Sequence, residues 1–227
     1  MRIEITNLTR KFKGQEALID VSLIIEKGQC VGILGDNGSG KSTLISIVAG
    51  MQKADSGRLT IDGKIISKEE RKRIGYVPQE PILLEDLSVS DNIKLWKSVY
   101  GIKINMDKYS EISTILDIKA MLKKRVSELS GGMKKRVSLL IVLMNEPDFL
   151  LMDEAFAALD AKTIESLIIY LNNHTQMGIM YSSHNIEEIL RLCDKAYVLK
   201  EGRLVYETDI DSAKSKETQI ELLYKYF

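Results

Sequence analysis

The stretch Gly35-Asp36-Asn37-Gly38-Ser39-Gly40-Lys41-Ser42-Thr43 decides the fold of this chain. It fits the pattern GxxxxGK[ST], in which glycines let successive backbone N–H groups converge on phosphate oxygens. The apolar run Cys30-Val31-Gly32-Ile33-Leu34 predicts a strand before it, and a helix is expected from about Ser42 to Ala49. A glycine-rich turn that happens to precede lysine is the alternative, and the flanking strand and helix argue against it. We therefore predict a nucleotide-binding loop, with Lys41 on the β- and γ-phosphates and Ser42 as an oxygen ligand of Mg²⁺.

Strands and helices alternate along the rest of the chain, which is typical of a largely parallel sheet covered on both faces. We predict an α/β fold with a P-loop NTPase core, to which the alternating N-terminal segments and a hairpin at Asp62-Gly63 add an antiparallel β subdomain. Apolar residues at helical spacing predict a helical subdomain inserted at about residues 79–135. The whole chain, 1–227, is expected to form a single domain with its core at about 1–78 and 136–227.

Length and charge exclude several classes of protein. The 227 residues can bury a core without a disulfide or a metal, and Cys30 and Cys193 have no CxxC partner, so we expect reduced thiols in a cytoplasmic protein. Lys and Arg number 32, as do Asp and Glu, so the cationic excess of a nucleic-acid binder is missing. No run approaches the roughly 20 apolar residues of a membrane-spanning helix.

Two acids end the apolar run Phe149-Leu150-Leu151-Met152-Asp153-Glu154. Ligands of open parallel sheets bind beyond the carboxyl ends of the strands, so this run brings both acids to the edge that carries the phosphate loop. Asp153 is expected to hold Mg²⁺ through its water shell, and Glu154 to orient and polarise the attacking water. The alternative is that Asp153 caps a helix after a core strand.

A second glycine-rich segment, Leu129-Ser130-Gly131-Gly132-Met133, opens a predicted helix that runs to Met144. The N–H groups at a helix start can bind an anion, whereas a plain serine N-cap is the reading that the spacing alone favours. The basic runs at 119–125 and 134–136 are expected to be solvated helix faces. His174, in a polar turn, is expected at the surface.

Together these motifs resemble the nucleotide-binding subunit of an ABC transporter, over essentially the whole length of the chain. In this family the motif LSGGQ binds the γ-phosphate held by the other subunit of a head-to-tail dimer. This chain retains the three residues that would make the contact, Ser130, Gly131 and Gly132, and Met133 replaces the usual Gln.

The resemblance implies roles for four further residues. Phe12 would stack on the adenine ring, although an aromatic near a strand is as often part of the core. Gln79 would sense Mg²⁺ as a ligand and join the core to the helical subdomain, with a turn glutamine as the alternative. Asp160 would cross the dimer interface. His184 would contact the γ-phosphate and act in catalysis with Lys41 and Glu154.

The resemblance implies an ATPase that uses ATP and Mg²⁺ to power a membrane transporter. Its expected partners are a separately encoded integral membrane permease and a second ATPase subunit, identical or different, at the inner face of the cell membrane. The chain lacks the extra C-terminal domain of many sugar importers, which favours an exporter. The alternative is an ABC-type ATPase that is not coupled to transport. A GTP-binding switch is disfavoured because no NKxD motif is found.

Overall fold

The computed structural model describes residues 1–101, 106–174, 176–211 and 213–227. The strands are β1 (Arg2–Phe12), β2 (Gln15–Glu26), β3 (Cys30–Leu34), β4 (Ser56–Ile61), β5 (Lys64–Ile65), β6 (Ile74–Val77), β7 (Phe149–Asp153), β8 (Gly178–Ser183), β9 (Lys195–Lys200) and β10 (Arg203–Asp209). The helices are α1 (Lys41–Val48), α2 (Lys68–Arg71), α3 (Val89–Tyr100), α4 (Ser110–Ile115), α5 (Gly131–Leu143), α6 (Ala161–Asn173), α7 (Ile186–Leu192) and α8 (Lys216–Tyr224). Short 3₁₀ turns lie at Met106–Tyr109, Ile118–Ala120 and Val126–Glu128.

The main sheet has the strand order β10-β9-β3-β8-β7-β6 within the described residues. Neighbouring strands from β9 to β6 run parallel, and β10 is antiparallel to β9. Every residue of β3, β7 and β8 is buried, as expected for parallel strands with both faces covered. The predicted α/β fold is confirmed, and the carboxyl ends of β3, β7 and β8 lie at one edge of the sheet.

A second sheet is antiparallel, with the described order β2-β1-β4-β5. The turn between β4 and β5 has a φ of 49° at Asp62 and 78° at Gly63. Positive φ at both central residues is the type I′ geometry that Asp-Gly favours in a two-residue hairpin. The N-terminal β subdomain therefore forms as its alternating pattern predicts.

Helices α3 and α4 lie in the segment that was predicted to be an inserted subdomain. Their apolar residues Ile93 and Ile112 share one buried cluster with Leu150 and Val198 of the main sheet. Helix α5 spans the predicted boundary at 135/136, so this boundary falls inside one helix. Residues 102–105 of that segment lie outside the described part of the chain. None of the described helices is both long enough and apolar enough to span a membrane.

Candidate nucleotide site

The glycine-rich loop connects the end of β3 to the start of α1. Gly40 has a φ of 110°, and a Cβ there would lie 2.5 Å from the Ala17 carbonyl oxygen, so only glycine fits. The Lys41 side chain is only 3% exposed, and its ammonium donates to the carbonyl oxygens of Gly35 (2.7 Å) and Asp36 (3.0 Å). These bonds hold the ammonium across the loop.

A cavity of about 280 Å³ opens above this loop. Its lining consists of Ala17, Asn37, Gly38, Gly40, Lys41, Ser42, Thr43, Gln79 and Glu154. The structure thus brings most of the predicted phosphate loop together with Gln79 and Glu154 around one opening. Larger concavities, such as one of about 460 Å³ between Tyr109 and Tyr170, contain none of the predicted site residues.

Asp153 is the last residue of β7, and its carboxylate is buried beside the loop. Its Oδ1 atom accepts hydrogen bonds from the hydroxyls of Ser42 (3.1 Å) and Ser182 (2.7 Å). The Ser182 hydroxyl in turn accepts a bond from the Glu154 N–H at 3.1 Å. A turn follows Glu154, and Asp160, not Asp153, caps the next helix. The helix-capping interpretation of Asp153 is therefore wrong.

Glu154 lies at the centre of the polar contacts, with its side chain 11% exposed. Its Oε1 atom is 3.5 Å from both Lys41 Nζ and His184 Nδ1. Its Oε2 atom is 3.5 Å from Gln79 Nε2. The backbone φ of Glu154 is 45°, a conformation that non-glycine residues rarely adopt and that is concentrated at functional sites. One carboxylate therefore faces a lysine, a glutamine and a histidine that come from three separate segments.

The oxygen atoms at this edge suit a hard divalent cation. The Ser42 hydroxyl and the Asp153 carboxylate lie 3.1 Å apart, and both are oxygen donors of the kind that Mg²⁺ prefers. In the described residues, the Asp153 carboxylate accepts side-chain hydrogen bonds from two hydroxyls, both of which are neutral. The oxygen atoms of Ser42 and Asp153 fit Mg²⁺. The side chain of Gln79, the third predicted ligand, contacts Glu154 in this structure.

The Ser130 segment lies elsewhere on the surface of the chain. The Ser130 hydroxyl accepts a bond from the Met133 N–H at 3.3 Å and caps α5, as the plain N-cap reading predicts. Ser130 and Gly131 are exposed, and neither lines the cavity above Lys41. Gly132 packs so closely on the 155–160 turn that a Cβ would lie 2.2 Å from the Ala158 carbonyl oxygen.

Phe12 is 40% exposed at the end of β1, so the alternative that it belongs to the core is wrong. The Arg10 guanidinium lies 4.5 Å from the centre of its ring, and Phe12 does not line the cavity. Asp160 contacts Thr163 and Arg136, and these bonds lower the pKa of its carboxyl. His174 is exposed, as predicted.

The expectation of a solvated face at 134–136 is wrong. Lys134 binds Glu85 and Arg136 binds Asp160, while the Lys135 side chain is buried and donates to the carbonyl oxygens of the 78–79 segment. Sequence reasoning also missed Ser182. The sequence indicated Ser182 only by its position two residues before His184. Its role depends on the pairing of Ser182 with Asp153 across the parallel strands β7 and β8, which the sequence does not give.

A sequence model of the ABC transporter family matches residues 18–157, which include the phosphate loop, the Ser130 segment and both acids. The chain belongs to this family. It is an ATP-binding cassette, the ATPase component of ABC systems, and its described residues have the corresponding mixed α/β architecture.

Three relatives are similar over most of their length. The linearmycin resistance ATP-binding protein LnrL of Bacillus subtilis (strain 168) is 31% identical over 97% of this chain and 74% of its own. The lipopolysaccharide export system ATP-binding protein LptB of Escherichia coli (strain K12) is 33% identical over 88% of this chain and 87% of its own. A probable sulfate/thiosulfate import ATP-binding protein, CysA of Chlorella vulgaris, is 34% identical over 90% of each chain.

Solved structures of this family superpose closely on the cassette. The ATP-binding subunit of an ABC transporter gives a TM-score of 0.85 at 25% identity, covering 99% of this chain and 98% of that one. A dimeric cassette in a post-hydrolysis state, bound to ADP and Pi, gives 0.79 at 25% identity, covering 92% and 99%. The relatives thus include cassettes of both export and import systems, and cassettes that dimerise.

Proposed function

We propose that this cassette binds and hydrolyses ATP to drive a membrane transporter, and that ATP closes two such subunits head to tail. The observation that carries the proposal is the position of Glu154, which contacts Lys41, Gln79 and His184 beside the phosphate loop. A carboxylate beside a cation-lined phosphate site is suited to orient an attacking water.

The roles of the loop residues follow from their geometry. The N–H groups of residues 35–43 and the dipole of α1 are suited to the phosphates of ATP. Lys41 gives up its bonds to the Gly35 and Asp36 carbonyls and pairs with the β- and γ-phosphates. His184 contacts the γ-phosphate from the end of β8, and Phe12 stacks on the adenine.

Ser42, Asp153 and Gln79 would hold Mg²⁺ at the edge of this cavity. When bound, the ion neutralises charge on the β- and γ-phosphates. The Ser182 hydroxyl keeps the Asp153 carboxylate oriented toward Ser42, since it bonds the same oxygen atom. Gln79 links this edge to the proposed helical subdomain at 79–135.

A second ATPase subunit supplies the other half of the site. Ser130, Gly131 and Gly132 lie at the start of α5, outside the cavity of their own chain. Residues with an anion-binding geometry that do not face their own phosphate loop are suited to the ATP of another copy, with Asp160 near the contact. The dimeric cassette bound to ADP and Pi supports the pairing of two copies.

We further propose a peripheral location at the inner face of the membrane, on a separately encoded permease that determines the substrate. Export is favoured over import, because LnrL is named for resistance and LptB for export. CysA, named for import, argues against this preference.

Glu154→Gln tests the catalytic assignment. We expect the purified wild-type chain to release phosphate from MgATP, and the variant to lose about 100-fold or more in kcat while it accumulates as an ATP-bound dimer in sedimentation. Glu165→Gln, an exposed substitution of the same kind on α6, is the control. Wild-type turnover in the Glu154 variant would remove this residue from the water-activating role.

Purification from membranes tests the coupling to transport. The tagged chain should co-purify with a multi-span membrane protein that raises its ATPase rate. A chain that hydrolyses ATP but is recovered without such a partner would favour an ATPase that is not coupled to transport.

A further inference from the structure

Lys135 is a buried cation that none of the proposed catalytic steps uses. It lies in the second turn of α5 and is 3% exposed. Its ammonium donates to the carbonyl oxygens of Pro78, at 2.9 Å, and of Gln79. These two carbonyls belong to the segment that follows β6 and carries the Gln79 side chain into the nucleotide cavity. Lys135 therefore connects α5 to this segment.

The burial of this ammonium is costly. Loss of water lowers the pKa of Lys135 to about 8, against the opposing attraction of Asp153, Glu154 and Glu80. In the described part of the chain its hydrogen bonds go to these two backbone carbonyls and to no carboxylate, so it has no direct counter-ion. An apolar side chain would avoid this desolvation cost. It would also leave the Pro78 and Gln79 carbonyl oxygens without this donor, so the value of a lysine here lies in its two bonds to the 78–79 segment.

We propose that Lys135 is a positioning residue, which holds the backbone of Gln79 against α5 so that the Ser130 end of the helix and the Gln79 side chain move together. The inference rests on the proposed function, because Ser130 and Gln79 are given nucleotide roles there. A contact at Ser130 would shift α5, Lys135 would carry the shift to Gln79, and the 3.5 Å contact between Gln79 and Glu154 would change. Contact between Ser130 and the ATP held by the other subunit would thus change the position of the Glu154 carboxylate in the chain that contains Ser130.

Lys135→Met keeps an unbranched stem and removes the donors. We expect kcat for ATP hydrolysis to fall about tenfold, because Gln79 would no longer be held in position. KM for ATP should stay within about twofold, because Lys135 does not line the cavity. Lys135→Gln, which keeps an amide donor on a shorter stem, should give an intermediate kcat with an unchanged KM. Lys134→Met is the matched control, since its ammonium pairs with the exposed Glu85, and it should retain the wild-type kcat.

A double-mutant cycle separates positioning from a general structural role. If Lys135 acts through Gln79, then Lys135→Met should cause no further loss of kcat in a Gln79→Ala background. An equal loss in both backgrounds, a rise in KM without a fall in kcat, or a wild-type kcat in both Lys135 variants would overturn the inference.

Folding is checked by circular dichroism before the kinetics are interpreted. Should Lys135→Met fail to fold, Lys135→Gln carries the same cycle with the same expected outcomes. The result is independent of the Glu154 test. If wild-type chain hydrolyses ATP and Glu154→Gln does not, the proposed function stands whatever the Lys135 variants do.

Discussion

The Lys41 ammonium lies 3.5 Å from the Glu154 carboxylate, so the cation assigned to the phosphates and the carboxylate assigned to the water are in direct contact. Both side chains are largely buried, where an ion pair is less screened than at the surface. A phosphate that takes Lys41 as its partner therefore competes with Glu154. We therefore expect ATP binding at Lys41 to release the Glu154 carboxylate.

Lys41→Ala should weaken ATP binding by about 10- to 100-fold. The lost contact is a charged hydrogen bond to phosphate, which contributes about 1.5–3 kcal/mol, and each 1.4 kcal/mol changes Kd tenfold. Calorimetric titration with a non-hydrolysable ATP analogue measures the change. Lys94→Ala, which replaces an exposed lysine on α3, should bind ATP as tightly as the wild type does. Unchanged affinity in the Lys41 variant would refute its phosphate role.

Ser182→Ala should raise the Mg²⁺ concentration needed for half-maximal ATPase activity. The Ser182 hydroxyl donates to the Asp153 carboxylate and accepts from the backbone N–H of Glu154, so its loss removes one restraint on the orientation of the Asp153 carboxylate. A hydrogen bond to a charged group contributes about 1.5–3 kcal/mol, but the Ser42 hydroxyl still bonds the same Asp153 oxygen, so we expect a smaller change of about 2- to 10-fold. The measurement is ATPase rate against Mg²⁺ concentration, with the exposed Ser98→Ala as control. A Mg²⁺ dependence identical to that of wild type would exclude this role for Ser182.

The strand–loop–helix around Lys41 and the acidic end of β7 could be predicted because each is encoded in a short stretch of sequence. Glycine spacing determines the loop, and an unbroken apolar run determines a strand with both faces buried. The parallel topology then places the carboxyl ends of β3 and β7 at one edge of the sheet, where Asp153 lies beside Ser42.

Contacts between distant segments were not predictable in this way. Lys135 looks like part of a solvated basic run, and only its packing on the Pro78 backbone makes it a buried donor. Ser182 is a common residue type with no motif of its own, and its role depends on the register of β8 against β7. For both residues the deciding interaction is with a partner far away in the sequence.

Gly132→Ala should destabilise the fold by about 1–3 kcal/mol, whereas Gly131→Ala should leave stability nearly unchanged. A Cβ at Gly132 would lie 2.2 Å from the Ala158 carbonyl oxygen and would push the start of α5 away from that turn. At Gly131 a Cβ meets no described atom within 4 Å. Thermal unfolding of both variants gives the comparison, and equal Tm values would contradict the close packing at Gly132.

Asp148→Asn should destabilise the chain near neutral pH but not in strong acid. Burial alone would raise the pKa of Asp148, yet the bonds from Lys27 (2.7 Å) and Arg73 (2.6 Å) outweigh it, and the pKa lies below its usual 3.8. A carboxyl whose pKa is lowered by folding contributes stability above about pH 3.8, and this contribution disappears as the pH falls through the folded-state pKa.

Urea unfolding across a pH series measures this effect. Since these side chains are partly exposed, we expect the variant to lose about 1 kcal/mol at pH 7. The difference from wild type should narrow once the pH falls below 3.8 and approach zero when Asp148 is protonated in both states. The exposed Asp86→Asn should track the wild type throughout. A loss for Asp148→Asn that is constant down to pH 2 would mean that packing, and not the ion pairs with Lys27 and Arg73, determines its contribution.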